Sequence, residues 1–520
     1  MRILALDGVH ADGLTLLREA GFEVEAGDPI KDPKVLADKL EGFDAVLVRS
    51  STSVTSGSLA KATNLKVIGR AGAGVDTIDV EAATARGIAV MNAPDGNTLA
   101  AAEHAISLLF ALARHIPKAD AGMKAGQWPK AGLTGFELEG KRLGVIGLGR
   151  IGSTVARKAV GIGMEVAAFD PFLPASAAGR MSLPMKSLED LLAWADIITL
   201  HIPRTKETTN LIGEPQMRLM RKGSYLINAA RGGLVDEDAL LRLLEEGQLG
   251  GAALDTFVTE PLPADSPLRN NPKLILTPHL GASTSEAQQA VSTILARQII
   301  DFVKTGAVAG CVNLPPLTAE AAREVGPWMP LMTALGKLSA RLVPAPSKLQ
   351  ITYAGRTEAL DTRPLSRLLV AALLGSVSGR VTPVNALHEA AARGLQVSET
   401  LGGDGDGFDR LLRIRIEGNG AAREIEATLH RGPRVVRLDG VELDFDPGAH
   451  ILLMRNEDKP GVIGQVGSQL GAAGINIINF SLGTRGDGEA VAAITVDEAV
   501  STQQLHGLRT IPGIVSLEMM

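Results

Sequence analysis

Arg231, Glu260 and His279 each stand where an apolar run gives way to a loop. Arg231 follows Ile227-Asn228-Ala229-Ala230, Glu260 follows Asp255-Thr256-Phe257-Val258-Thr259, and His279 follows Thr277-Pro278. A histidine titrates near ~6.5, so at neutral pH it can take a hydroxyl proton. A carboxylate beside it would hold one ring tautomer and favour the imidazolium. A guanidinium would grip an anion through parallel N–H bonds and polarise a carbonyl oxygen. Hydride transfer between an alcohol carbon and a nicotinamide ring asks a protein for these groups. Asp255 would then stand on the nicotinamide side. Each residue alone has a plainer explanation, as a structural histidine, a solvated Glu-Pro turn or an Arg-Gly-Gly loop. Their conjunction at the strand ends of one nucleotide domain points to a site.

The element that would position them is Leu143–Gly152. It reads as a buried strand, the glycine turn Gly147-Leu148-Gly149-Arg150-Ile151-Gly152, and the start of a helix. Gly147 permits the tight turn, Gly149 lets the backbone approach a pyrophosphate, and Gly152 lets the helix lie close to the sheet. The amides at the helix N-terminus favour phosphate oxygens. A second strand, Glu165–Phe169, ends at Asp170. That acid can accept from both ribose hydroxyls and repels a 2′-phosphate, which favours NAD over NADP.

Strands and helices alternate on either side of this motif. Ile3–Leu6, Phe22–Glu25, Ala45–Val48, Leu65–Arg70 and Ala89–Asn92 form a first α/β unit with no glycine fingerprint of its own. Two of its strand ends carry Arg49 and Arg70, placed as a carboxylate or phosphate site requires. An apolar helix over Ala101–His115 is expected between domains or at a subunit interface, with Glu103 as a dipole partner near its start. After His279 a helix over Ser283–Lys304 runs back towards the first unit. The expected divisions are therefore a discontinuous substrate-binding domain (1–95 and 283–315), an NAD-binding domain (96–282), an α+β intervening domain (316–446) and a terminal βαββαβ domain (447–520). The intervening domain would open with a helix over Thr318–Leu342 and hold strands over Leu349–Tyr353, Leu411–Glu417, Glu424–Leu429 and Val435–Leu438. The terminal sheet, ferredoxin-like with one bare face and exposed edges, would pair with a copy of itself.

Composition excludes several function classes. With 520 residues the chain exceeds what one core holds, since cores stop growing near ~250–300 residues. The net charge of −6, with no basic run interleaved with aromatics, argues against nucleic acid as a partner. The single cysteine, Cys311, excludes an intrachain disulfide and a cysteine-rich metal site, and fits a reducing cytoplasm. No metal is expected. The N-terminus opens as a strand with no signal-like apolar region, and no later run suggests a membrane span.

Three motifs carry a family resemblance. Gly147–Gly152, Asn228-Ala229-Ala230-Arg231-Gly232-Gly233-Leu234-Val235-Asp236 and Thr277-Pro278-His279-Leu280-Gly281-Ala282-Ser283-Thr284, with Glu260-Pro261-Leu262-Pro263, resemble the D-2-hydroxyacid dehydrogenase family over residues 1 to about 315. In the tail, Asn456-Glu457-Asp458-Lys459-Pro460-Gly461-Val462 and Gly474-Ile475-Asn476-Ile477 resemble an ACT regulatory domain. With an intervening domain, that tail is similar to the long branch of the family that oxidises 3-phosphoglycerate to 3-phosphohydroxypyruvate at the first step of L-serine synthesis. The fold so implied is α/β, with two doubly wound, Rossmann-like parallel sheets, an α+β intervening domain and a ferredoxin-like ACT domain.

The resemblance implies Arg231, Glu260 and His279 as the catalytic trio. It implies Arg49, Arg70, Gly72, Asn97 and Lys130 around the substrate. NAD contacts are implied at Gly147, Gly149, Arg150, Ile151, Gly152, Asp170, Ala229, Arg231, Asp255, His279 and Gly281. It also implies serine control at Asp458 and Asn476, and a cytoplasmic homo-oligomer, a dimer or tetramer. Two departures stand out: Lys130 occupies the place of a phosphate-binding arginine, and Asn456 that of an aromatic residue or histidine. Asp458 could equally be a helix N-cap before Pro460. Two competing readings are a glyoxylate or hydroxypyruvate reductase, which needs no ACT tail, and an NAD-sensing scaffold like the corepressors that share the fold, which lack one.

Overall fold

The computed structural model describes residues 1–520 apart from 174–182, 358–359, 376–380, 485 and 487. The first sheet comprises β1 (Arg2–Ala5), β2 (Glu23–Ala26), β3 (Ala45–Val48), β4 (Val67–Arg70) and β5 (Ala89–Asn92). All its pairs are parallel, in the order β2-β1-β3-β4-β5. β3 reads Ala-Val-Leu-Val and is buried throughout, as a parallel strand covered on both faces should be. The helix Ser285–Thr305, which follows the His279 loop, returns to cover this sheet. Its Val291, Leu295, Ala296 and Ile299 share a core with Ile3, Ala5 and Leu47. The close approach depends on Gly13, where a Cβ would fall 2.6 Å from the Ser292 carbonyl oxygen.

The second sheet comprises β6 (Arg142–Ile146), β7 (Glu165–Phe169), β8 (Ile197–Leu200), β9 (Ser224–Asn228), β10 (Leu249–Leu254) and β11 (Leu274–Leu276). It too is parallel, in the order β11-β10-β9-β8-β6-β7. Strand order reverses at β6/β8 here and at β1/β3 in the first sheet, and such switch points open a crevice beyond the strand C-termini. The apolar helix spans Thr98–Arg114. Its inner face lies on the second sheet's own core, with Leu108, Leu109 and Leu112 against Val145, Val155 and Ile227. Its outer residues Leu99 and Phe110 are exposed.

The third sheet is mixed: β12 (Lys348–Gly355), β13 (Gln396–Leu401), β14 (Arg410–Gly418), β15 (Ala421–Leu429), β16 (Pro433–Leu438) and β17 (Val441–Phe445), in the order β13-β12-β14-β15-β16-β17. Only β12 and β13 pair in parallel. The helix expected over Thr318–Leu342 is two, Ala319–Val325 and Trp328–Leu342, broken at Gly326-Pro327 because proline removes an N–H and glycine favours a bend. Sequence reading missed β13, a largely polar edge strand, and β17. The signal for β17 was present: Asp439 and Gly440 both take positive φ, and Asp-Gly is a hairpin turn.

The fourth sheet, β18 (His450–Glu457), β19 (Ile477–Thr484), β20 (Glu489–Val496) and β21 (Ile514–Met519), is antiparallel in the order β19-β20-β18-β21. The face expected to be bare is covered. Ile451, Leu453, Val491 and Ala493 join the core of the third sheet with Val441, Leu443 and Phe445. Ser481 Oγ accepts the Asp444 amide at 2.8 Å, and Asn479 Nδ2 donates to the Asp444 carbonyl at 2.8 Å. A face sealed by intrachain apolar contact is not free for a second copy. Among the described residues no single helix is long and apolar enough to cross a membrane.

Candidate active site

The trio converges because three adjacent strands, β9, β10 and β11, release their loops on one side. Asn228, at the end of β9, ties the Arg231 turn: its Oδ1 accepts the Ala230 amide at 3.1 Å and its Nδ2 donates to the Arg231 carbonyl at 2.8 Å. Gly232 is obligatory there, since a Cβ would fall 1.8 Å from the Phe257 carbonyl oxygen of the neighbouring loop. Glu260 Oε1 accepts the Phe257 amide at 3.0 Å, and Oε2 lies 2.8 Å from His279 Nδ1. Burial pushes the Glu260 carboxyl up. The bonds from His279 and the Phe257 amide outweigh it and hold the group below its ordinary value. Glu260 is therefore ionised at neutral pH, accepts from Nδ1–H, and leaves His279 Nε2 to take a proton.

Glu260→Gln keeps an acceptor but removes the anion. The imidazolium formed in the reaction then loses its counter-charge and kcat falls about tenfold. Steady-state kinetics of alcohol oxidation tests this; an unchanged kcat would contradict the pairing.

Across the cleft, the loop after β3 is set by Asp7, the residue two beyond β1. Its Oδ2 accepts the amides of Arg49 at 2.8 Å and Thr52 at 3.0 Å, and its Oδ1 accepts Thr52 Oγ1 at 2.6 Å. Arg70 lies beside this loop. Burial pushes its guanidinium down to about 10, and the neighbouring charges of Arg231 and Arg49 push the same way. Its Nε is enclosed with no hydrogen-bond partner, as is Asn97 Oδ1. Gly72 lies beneath it, where a Cβ would come 1.6 Å from Arg70 Nη1 and push the guanidinium aside. Arg231 closes the cleft: Nε donates to Asp76 Oδ2 at 2.9 Å and Nη1 to the Ala230 carbonyl at 2.7 Å. Three mutually repelling guanidiniums around a cleft of about 250 Å³ suit a small ligand with more than one negative charge.

The dinucleotide elements fit NAD by geometry. Gly147 takes φ 95°, and a Cβ on Gly152 would fall 1.8 Å from the Gly147 carbonyl oxygen. At Gly149 a Cβ would meet nothing within 4 Å, so the backbone is open on that side. The helix Arg150–Gly161 begins with no side-chain cap, leaving its first amides for an anion. Asp170 stands at the end of β7 and accepts the Leu148 amide at 2.7 Å and the Phe172 amide at 2.8 Å. Ile151, Ala229, Asp255 and Gly281 line the cleft. Arg150 Nε pairs with Asp95 Oδ1 at 2.5 Å. Asp255, read from sequence as facing the nicotinamide, has its carboxylate engaged by Thr277 Oγ1, the amides of Leu280 and Gly281, and His104.

Sequence reasoning missed Asp7, Asp76 and His201, and placed His104 beside Glu103 in the apolar helix without giving it a role. His201 follows β8, the same strand-end signal that picked out Arg49, and lines the cleft. Burial pushes its ring down to about 4, and its Nε2 lies 2.9 Å from Thr199 Oγ1. Lys130 is exposed and not among the cleft-lining residues; its amide donates to the Trp128 carbonyl at 2.9 Å. Glu103 pairs with Lys158 at 3.0 Å rather than with its own helix terminus. Asp458 is no helix N-cap, because the helix Val462–Ala472 is capped by Gly461. Asp458 and Asn476 are not brought together within one chain. Asp458 follows the end of β18, where Glu457 pairs with Glu489, whereas Asn476 precedes the start of β19, where Ile477 pairs with Val496 at the other end of β20.

Family models match three stretches of the chain. Residues 106–281 match the D-isomer specific 2-hydroxyacid dehydrogenase, NAD binding domain. Residues 324–439 match the D-3-phosphoglycerate dehydrogenase intervening domain, and 450–505 the ACT domain. A D-3-phosphoglycerate dehydrogenase from Bacillus subtilis is 38% identical over 523 residues, covering 100% of this chain and 99% of that protein. One from Archaeoglobus fulgidus is 37% identical, covering 99% of each. The structure of D-lactate dehydrogenase from Escherichia coli aligns with 60% of this chain and 100% of its own, at 28% identity and a TM-score of 0.53.

Proposed function

The chain belongs to the D-3-phosphoglycerate dehydrogenase family, and on that premise we propose that it oxidises 3-phospho-D-glycerate to 3-phosphohydroxypyruvate with NAD, the step that opens L-serine synthesis. The observation that carries the reading is the meeting of Arg231 and the His279–Glu260 pair, from one sheet, with Arg49 and Arg70, from the other, around one cleft. His279 Nε2 takes the C2 hydroxyl proton, and Glu260 stabilises the imidazolium so formed. Arg231 holds the carboxylate and the C2 oxygen, while Arg49 and Arg70 answer the remaining charge of the substrate. The glycine loop, the uncapped Arg150–Gly161 helix and Asp170 hold NAD, which when bound supplies the hydride acceptor.

The reverse reaction gives the test. The purified protein consumes NADH with 3-phosphohydroxypyruvate, and prefers it to hydroxypyruvate and glyoxylate by on the order of 10²-fold in kcat/KM, the worth of two charge-assisted contacts. Absence of NADH loss would end the dehydrogenase reading, and equal rates would leave an unphosphorylated substrate. Regulation belongs to the same proposal. Asp458 and Asn476 lie at opposite ends of one sheet, so a serine held by both sits between two chains paired through their sheet edges in opposite directions, within a homo-oligomer.

A further inference from the structure

One side chain of the helix Thr98–Arg114 reaches the catalytic loop from behind. His104 Nε2 stands 3.0 Å from Asp255 Oδ1 and 3.2 Å from Thr277 Oγ1. The Asp255 side chain is 0% exposed. It also accepts Thr277 Oγ1 at 2.6 Å, the Leu280 amide at 2.7 Å and the Gly281 amide at 3.0 Å, while its own carbonyl accepts the His279 amide at 2.9 Å. These groups bracket His279, whose backbone takes φ 55°, a left-handed conformation that is costly for a residue with a bulky side chain. The turn holds because the groups on both sides of His279 are drawn onto one aspartate.

A hydroxyl and two amides all donate to that carboxylate, so it is ionised, and His104 Nε2 must carry the hydrogen that faces it. A buried carboxylate needs this company. Burial pushes the Asp255 carboxyl up, and the bonds from His104, Thr277 and the Leu280 amide outweigh it and hold the group below its ordinary value. His104 is the one ring in that set and the one donor from outside the catalytic loop and its strand. It touches none of the trio and does not itself line the cleft; it reaches the cleft only through Asp255.

We propose that His104 is a positioning residue for the dehydrogenase reaction: by donating Nε2–H to Asp255 it keeps the Thr277–Gly281 turn set, so that His279 meets the substrate hydroxyl in line. The helix Thr98–Arg114 thereby takes part in catalysis without touching substrate. The inference rests on the dehydrogenase reading above, and its test separates the two.

The experiment compares the full-length protein with His104→Leu, which fills the space without a donor, and His104→Gln, whose amide nitrogen can stand near Nε2. Reduction of 3-phosphohydroxypyruvate by NADH is followed, with thermal unfolding of each protein. The expected result is a kcat lowered about 10- to 100-fold in the leucine variant, with KM within about twofold of wild type, and recovery of most of kcat in the glutamine variant. Leucine and wild type turning over alike would overturn the proposal, and so would equal losses in leucine and glutamine variants, which would mean that the ring only fills space. Should the leucine variant not fold, His104→Asn, whose amide stops short of Asp255, takes its place with the same expected and overturning results. An inactive wild type would instead overturn the dehydrogenase reading beneath.

Discussion

His279→Ala lowers the rate of 3-phosphohydroxypyruvate reduction by about three orders of magnitude while NADH still binds. The ring is the one base at the cleft whose orientation is set from two directions, by Glu260 at 2.8 Å on Nδ1 and by the Asp255 carbonyl on its own amide. His201 cannot substitute, because burial holds it near 4 and it is a poor proton acceptor at neutral pH. Removal of a positioned acid–base group costs about 10²–10⁴-fold. The glycine loop and Asp170 follow β6 and β7, away from the β11 loop, so the loss of the one contact at His279 should leave NADH bound. Turnover and NADH fluorescence titration measure the two separately. A loss of less than tenfold would remove His279 from the role of base.

Arg231→Gln should cost about 10²–10³-fold in kcat/KM, the range for losing one preorganised oxyanion donor. The guanidinium is held in plane by two bonds, to Asp76 and to the Ala230 carbonyl, so its remaining N–H groups present a fixed edge to the cleft. Lysine at this position restores charge without the fork and should recover only part of the rate. Arg70 responds in the opposite sense. It loses a repelling cation and keeps Arg49 beside it, so inorganic phosphate should still inhibit the Arg231→Gln enzyme competitively. Steady-state kinetics with phosphate as inhibitor test both halves. Unchanged kcat/KM would exclude Arg231 from the reaction, and loss of phosphate inhibition would mean that Arg231 alone creates the anion site.

How much of this was legible in the sequence differs from element to element. The parallel strands could be read because covered strands such as Ala45–Val48 are apolar at every position, and the glycine loop because each glycine answers a local steric demand. Strand ends then nominated Arg49, Arg70, Arg231, Glu260 and His279, since a strand's C-terminal loop lies at the crevice wherever the sheet is doubly wound. Edge strands escaped this reading. Gln396–Leu401 is polar because one side of it faces solvent, and its pairing is set by β12, 48 residues earlier by the register Lys348↔Gln396.

By itself, then, the sequence determined what is local: which segments are strands, where the backbone must turn, and which ionisable side chains stand at strand ends. Only the tertiary structure decided which charges meet. Asp76 reaches Arg231 across 155 residues, and His104 reaches Thr277 across 173. Neither pair leaves a periodic trace in the chain, because a hydrogen bond between distant residues needs only one suitable atom on each side once packing has brought the loops together. The same holds for the terminal sheet. Its alternation shows an apolar face, but the partner that covers it, Val441, Leu443 and Phe445, could be known only from the way the two domains pack. Periodicity records that a surface is hidden from water and carries no information about what hides it.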